Sequence, residues 1–277
     1  MMRRDPKAIL AAHKMDPMRR ELYVEGEEDR ALIRWTVGDA INPNARVLTV
    51  DAVALSGFME GGHRARLIAF ARIVEGDEAK IKFLADADND RLFGRTVPSN
   101  VWLTDSRDLE GYVFRKNCVE KLLKLGLVEE GIEAESLLAN ILSVGRMLGL
   151  LRLISEEEGL NLPFQRTDPW RSLSFSRSRG LSCDLTRYVS TLLQNAGRSL
   201  KEVQTIIERI PAKDALLASI PDYELLHGKD AICLLEKVLI DYGVARGEAI
   251  RILRSAFERS FAQDYPSLNA AITFLAE

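Results

Sequence analysis

Glu21-Leu22-Tyr23-Val24-Glu25-Gly26-Glu27-Glu28-Asp29 is a short apolar run that stops at an acid, turns at a glycine and continues into a charged stretch. Runs of this kind are typical of strands buried on both faces, and acids clustered in a first turn suit the positive end of a helix dipole. The stretch therefore predicts a strand ending at Val24 and a helix over 27–37. Ile81-Lys82-Phe83-Leu84-Ala85 repeats the pattern and stops at Asp86-Ala87-Asp88. Strands of an open parallel sheet carry their ligand crevice at the carboxyl ends, where loops from several strands converge. Glu25, Asp29, Asp86 and Asp88 are thus expected at one edge of a sheet, as hard oxygen donors suited to a divalent cation.

Working outward, further strands are expected over 46–53 and 101–104, and a helix over 63–74 opened by Gly61-Gly62. Strand and helix in alternation imply right-handed crossovers and a mainly parallel, Rossmann-like sheet flanked by helices. From about residue 115 the apolar period changes to that of helices. These are expected over 133–158, 185–195, 199–210, 229–242, 246–262 and 268–276, with Pro211 and Pro221 as breaks. The fold class is α/β followed by a mainly helical region, divided as a metal-binding core at 1–115 and helices at 116–277. Within the second part, 163–184 mixes Arg166, Arg171, Arg177 and Arg179 with Phe164, Trp170 and Phe175. Arginine beside aromatic rings suits phosphates and unstacked bases. It equally suits a surface loop whose rings pack on a helical core.

With 277 residues, 47% of them hydrophobic, the chain can bury a sizeable core, and its net charge of −3 neither requires nor excludes nucleic acid. Three widely spaced cysteines and three histidines provide neither a disulfide framework nor a zinc motif. No apolar run approaches the roughly twenty residues of a membrane span, and the basic start is followed by Asp5-Pro6 instead of a signal core. The expectation is a cytoplasmic protein without membrane association.

Other motifs fail on particular residues. An EF-hand beginning at Asp86 needs glycine where Arg91 stands and glutamate where Val97 stands. Gly228-Lys229 is followed by Asp230 and lacks the upstream glycine of a P-loop. Asp90, Asp108 and Glu110 are secondary acidic candidates, with ordinary solvated roles open to each.

A strand ending in Val24-Glu25-Gly26, an acid at Asp29 and a later strand ending in Asp86-x-Asp88 resemble the Toprim domain of topoisomerases, primases and certain nucleases, over roughly residues 18 to 115. Arg107-Asp108-Leu109-Glu110 and Gly228-Lys229-Asp230 resemble a bacterial branch encoded beside ATPases. That branch includes the nuclease subunit of PARIS-type anti-phage systems and, more distantly, the Toprim half of overcoming-lysogenization-defect nucleases. The resemblance implies Mg²⁺ or Mn²⁺, as two ions, with Asp86 and Asp88 on one, Glu25 as ligand or general base, and Asp29 completing a second site. It implies a catalytic role for Lys229 in neutralising phosphoryl charge. It also implies a nucleic acid substrate, control by a separate ABC-type ATPase and, for duplex cleavage, a homodimer. No tyrosine nucleophile domain or zinc module is identified, so hydrolysis is favoured over strand passage or priming. A non-catalytic binding subunit and a D-x-D nucleotidyl or glycosyl transferase are the other classes the residues allow.

Overall fold

In chain order the helices and strands are α1 Pro6–Met15, β1 Arg20–Val24, α2 Glu27–Val37, β2 Ala45–Thr49, α3 His63–Ile73, β3 Ile81–Ala85 and β4 Val101–Leu103. They continue with α4 Lys116–Gly126, α5 Ala134–Glu157, β5 Leu173–Ser176, β6 Gly180–Cys183, α6 Leu185–Asn195 and α7 Val203–Leu216. The last are α8 Asp222–Leu225, α9 Gly228–Leu239, α10 Glu248–Ala256 and α11 Pro266–Ala276. This computed structural model describes residues 3–55, 62–77, 80–126 and 132–277. Gly61, expected to help open α3, lies outside them. Two compact units result: one runs to Leu109 and resumes at Phe257–Glu277, the other is Glu110–Ala256.

The first unit is an α/β layer structure around a four-stranded, wholly parallel sheet in the order β2-β1-β3-β4. Tyr23 pairs in register with Phe83, and Val24 with Thr49. Side chains alternate across a strand, so Tyr23 and Phe83 share one face. There they meet Phe70 of α3 in a three-ring cluster with centroids 4.9–5.7 Å apart, and Ile9 of α1 and Leu67 of α3 complete the layer. The opposite face is covered by α2 and α11, where Trp102 of β4 meets Phe274 edge-on at 6.0 Å. The segment after Phe257, which the apolar period places with the helical region, thus returns to cover the sheet.

At the amino end of β1, Glu21 is fully buried. Burial alone would raise its pKa, but hydrogen bonds from His13, Arg4, Tyr23 and Arg19 outweigh this and hold the carboxyl far below its ordinary range. Tyr23 Oη donates to it at 2.7 Å and Arg4 at 2.9 Å. This cluster pins α1 and the chain start to β1.

The second unit is organised on α5, which packs against α4, α7, α8, α9 and β6. Among the described residues α5 is the one helix long and apolar enough to cross a membrane by length and composition, which corrects the expectation that no run approaches that length. Yet 61% of its apolar window is buried inside the protein. Gly149 lets α8 approach α5: a Cβ there would overlap the backbone carbonyl of Leu225, which cannot swing aside as a side chain could. Gly149→Ala is expected to lower stability by about 2 kcal/mol, because overpacking outweighs alanine's better helix propensity. A thermal melt unchanged from the native protein would show that α8 yields.

Two expectations are corrected in this unit. Pro211 lies inside α7 and does not end it. The 163–184 segment contains an antiparallel hairpin, β5–β6, where only a loop was foreseen. Its rings are engaged within the unit: Trp170 lies under Arg246 at 4.6 Å and Lys237 at 4.9 Å, and Phe164 under Arg152 at 4.5 Å. Cys118, Cys183 and Cys233 are free thiols, and burial pushes Cys183 and Cys233 up to about 12, which leaves them inert as nucleophiles at neutral pH.

Candidate metal and phosphate site

The chain leaves β1 toward β2 and leaves β3 toward β4, in opposite directions across the sheet. The carboxyl ends of β1 and β3 therefore flank the topological switch point, where such sheets open a crevice. Glu25 follows β1 directly, and Asp86 follows β3. The two ends are tied together: the Asp86 N–H donates to Glu25 Oε1 at 3.0 Å. The sequence expectation that Glu25 and the D-x-D loop converge is met in this geometry.

Burial drives the Glu25 carboxyl up to about 7; the Asp86 N–H opposes that, the Asp88 and Asp29 charges add to it, and the Arg64 cation offsets part of it. A carboxyl in this range exchanges a proton at neutral pH. Asp29 is placed by α2: its Oδ2 accepts the Gly26 N–H at 2.8 Å, one half of a capping box whose other half glycine, having no side chain, cannot supply. Gly26 itself has an extended backbone, and a Cβ would sit 3.6 Å from Asp29 Oδ2, an ordinary contact. Neither backbone angle nor space within the fold requires glycine there.

The D-x-D loop is shaped by the segment after β4. The Ala87 N–H donates to Thr104 Oγ1 at 2.9 Å, Thr104 Oγ1 to the Ser106 carbonyl at 2.8 Å, and Ser106 Oγ to the Asp108 carbonyl at 2.6 Å. Asp88 donates its N–H to the Arg107 carbonyl at 2.8 Å, and Leu109 donates its N–H to Asp86 Oδ1 at 3.1 Å. This lattice holds Asp88 at φ +46°, a left-handed conformation that aspartate tolerates better than most residues and that costs energy. The Arg107-Asp108-Leu109 motif thus acts on the loop through its backbone, while Glu110, in the second unit, pairs with Arg254 at 3.4 Å.

Arg64, on the first turn of α3, was not foreseen. Its Nε donates to the Asp86 carbonyl at 3.0 Å and lies 3.2 Å from Asp88 Oδ2, while a terminal nitrogen pairs closely with buried Asp90. Burial would lower its pKa, but Asp90, Asp88 and Glu25 more than compensate and keep it charged. Among the described residues, no three His, Cys, Asp or Glu side chains stand together as a metal cage. The reason is visible in the bonds: Asp29 caps α2 and Asp88 turns to Arg64. The donor chemistry still fits a hard divalent cation. Magnesium commonly takes one or two protein carboxylates and completes its shell with water and phosphate oxygens, and Glu25 and Asp86 are both oriented by backbone N–H groups for such a role.

Lys229 belongs to the second unit, at the start of α9, where its N–H donates to His227 Nδ1 at 3.2 Å. Its neighbour Asp230 is buried and forms a two-point pair with Arg152 at 2.7 and 2.8 Å. The Gly228-Lys229-Asp230 motif therefore includes a structural ion pair. No protein-family model and no curated protein matches this chain.

Proposed function

We propose that the chain is a Toprim-like, Mg²⁺-dependent nuclease, the effector of a bacterial anti-phage system whose triggering belongs to a separate ABC-type ATPase. The observation that carries the chemistry is Glu25, at about 7, bonded to the backbone of Asp86 across the switch point of a parallel sheet. Glu25 takes the proton of an attacking water, since near neutral pH it is deprotonated in a large fraction of molecules. Asp86 and Asp88 would hold the ion, with Asp29 assigned to a second one. When bound, the ion supplies charge neutralisation to the phosphodiester and lowers the pKa of water. Gly26, which nothing within the fold requires to be glycine, leaves the β1–α2 turn without a side chain, so that a phosphate could lie close to its backbone. Lys229 is assigned phosphate charge neutralisation from its motif alone. The ATPase and the defence role rest on the sequence resemblance.

The alternative is a binding subunit without turnover. What favours it is Arg64, whose pairing with Asp88 and Asp90 already neutralises part of the cluster. The two are separated by incubating plasmid DNA and total cellular RNA with the protein and Mg²⁺ or Mn²⁺, with and without a neighbouring ATPase. Metal-dependent cleavage lost in Asp86→Asn supports the nuclease. Silence under every condition supports the binding subunit.

Arg64 has its own expected outcome. Arg64→Ala removes a cation that competes for Asp88, so Mn²⁺ affinity, read by calorimetry, is expected to rise roughly tenfold. Unchanged affinity would show that Asp88 is no ligand.

A further inference from the structure

The second unit holds a pocket of about 410 Å³ between the β5–β6 hairpin, α5 and α9 with its following turn. That is within the size range of small-molecule sites. Phe175 and Tyr242 provide its rings, with centroids 6.1 Å apart. Arg177 and Arg179 line it from the turn of the hairpin, and Arg177 lies over the Tyr242 ring at 4.7 Å. Both arginines are exposed to solvent. The Arg179 guanidinium has no ion-pair partner among the described residues, which makes its charge available to an anion. Glu133, also in the lining, offers an acceptor for an exocyclic amine or a sugar hydroxyl.

The turn that presents these cations is held in place. Gly180 has φ +73°, and a Cβ there would run into Asn140 Oδ1. The same Oδ1 accepts the Leu181 N–H at 3.3 Å, so α5 clamps the hairpin at its turn. A clamped turn presents its arginines with less ordering entropy to lose on binding than a free loop would.

We propose that this pocket binds one nucleotide unit, with the phosphate on Arg177 and Arg179 and the base stacked among the Phe175 ring, the Tyr242 ring and the Arg177 guanidinium. Stacking on rings and on guanidinium planes is how unpaired bases are held with little sequence preference. The nucleotide can come from a nucleic acid strand or from free mononucleotide. The first source rests on the nuclease reading; the pocket's chemistry does not.

The test uses the full chain in EDTA, so that neither cleavage nor a divalent ion contributes. Anisotropy of labelled single-stranded DNA and RNA oligonucleotides, and calorimetry with AMP, are compared for the native protein, the Arg177→Ala/Arg179→Ala double variant and Tyr242→Leu. The double variant is expected to bind at least about tenfold more weakly, with a shallower salt dependence, and Tyr242→Leu about five- to a hundredfold more weakly. Competition by AMP with the oligonucleotide places a strand nucleotide in the pocket. AMP binding that is sensitive to the variants, with oligonucleotide binding that is not, assigns the pocket to free nucleotide. Folded variants that bind both probes like the native protein, or a native protein that binds neither, overturn the proposal. The assay contains no divalent ion, so failure of the nuclease reading appears in cleavage and not here.

Discussion

Glu25→Gln is expected to lower metal-dependent cleavage by about 10²–10⁴-fold, the usual contribution of a positioned general base. The substitution keeps the shape and an acceptor for the Asp86 N–H, which donates to Oε1 at 3.0 Å, so the fold should survive. What disappears is a group that titrates near neutral pH. The native pH–rate profile is therefore expected to carry an acid limb as Glu25 loses its proton, lying below about 7 because the bound cation favours the carboxylate, and the residual activity of the variant to lack that limb. Stability moves the other way. An unfolded glutamate ionises near 4.5 and the folded one near about 7, so the folded state holds the proton more tightly across that window. The metal-free protein should then lose stability as pH rises through it and level off above, by about 3 kcal/mol in all. Denaturant melts from pH 4 to 8 in EDTA check this. A native curve parallel to that of Glu25→Gln would mean that Glu25 titrates as an ordinary surface acid and would remove the basis of the general-base role.

The second large effect concerns Asp230. Its side chain is 3% exposed and that of Arg152 11%, and the two bonds between them satisfy charges that water scarcely reaches. Asp230→Ala would take a two-point partner from the guanidinium buried beside Phe164 and Tyr188, a loss that typically costs about 3–5 kcal/mol. The double variant Asp230→Ala/Arg152→Met should recover much of that loss, because an apolar pair of similar volume leaves no stranded charge. If Asp230→Ala melts like the native protein and loses only activity, the Gly228-Lys229-Asp230 motif serves chemistry and not α9. Lys229→Ala, at an exposed position beside it, should leave stability near native.

How far the sequence foretold this structure differs from element to element. The helix after β1 was readable to the residue, Glu27–Val37, because local signals agree at both ends: acids fill its first turn and Gly38 takes a positive φ beyond its last. The parallel sheet was readable from its apolar runs. The β5–β6 hairpin was not, since its strands are four residues each, too short for their alternation to stand out, and its turn is held by a clamp from Asn140 far back in the chain. Pro211 carries the ordinary signal of a break, but the surrounding helix persists through it. At the site, the carboxylates stand out because strand ends are locally encoded. Arg64 and the Leu109 N–H do not. They reach the acids only after a crossover has folded, and a backbone donor has no signature in side-chain pattern.

The placement of α11 has a consequence for the order in which the molecule is made. Strands β1 to β4 leave the ribosome before Glu110–Ala256, yet one helix that covers them is translated only after the whole of it. A nascent chain therefore carries the acidic loops before α11 is there to cover its sheet. That face of the sheet, with Trp102 on it, is completed by a segment that the second unit separates from the strands in sequence.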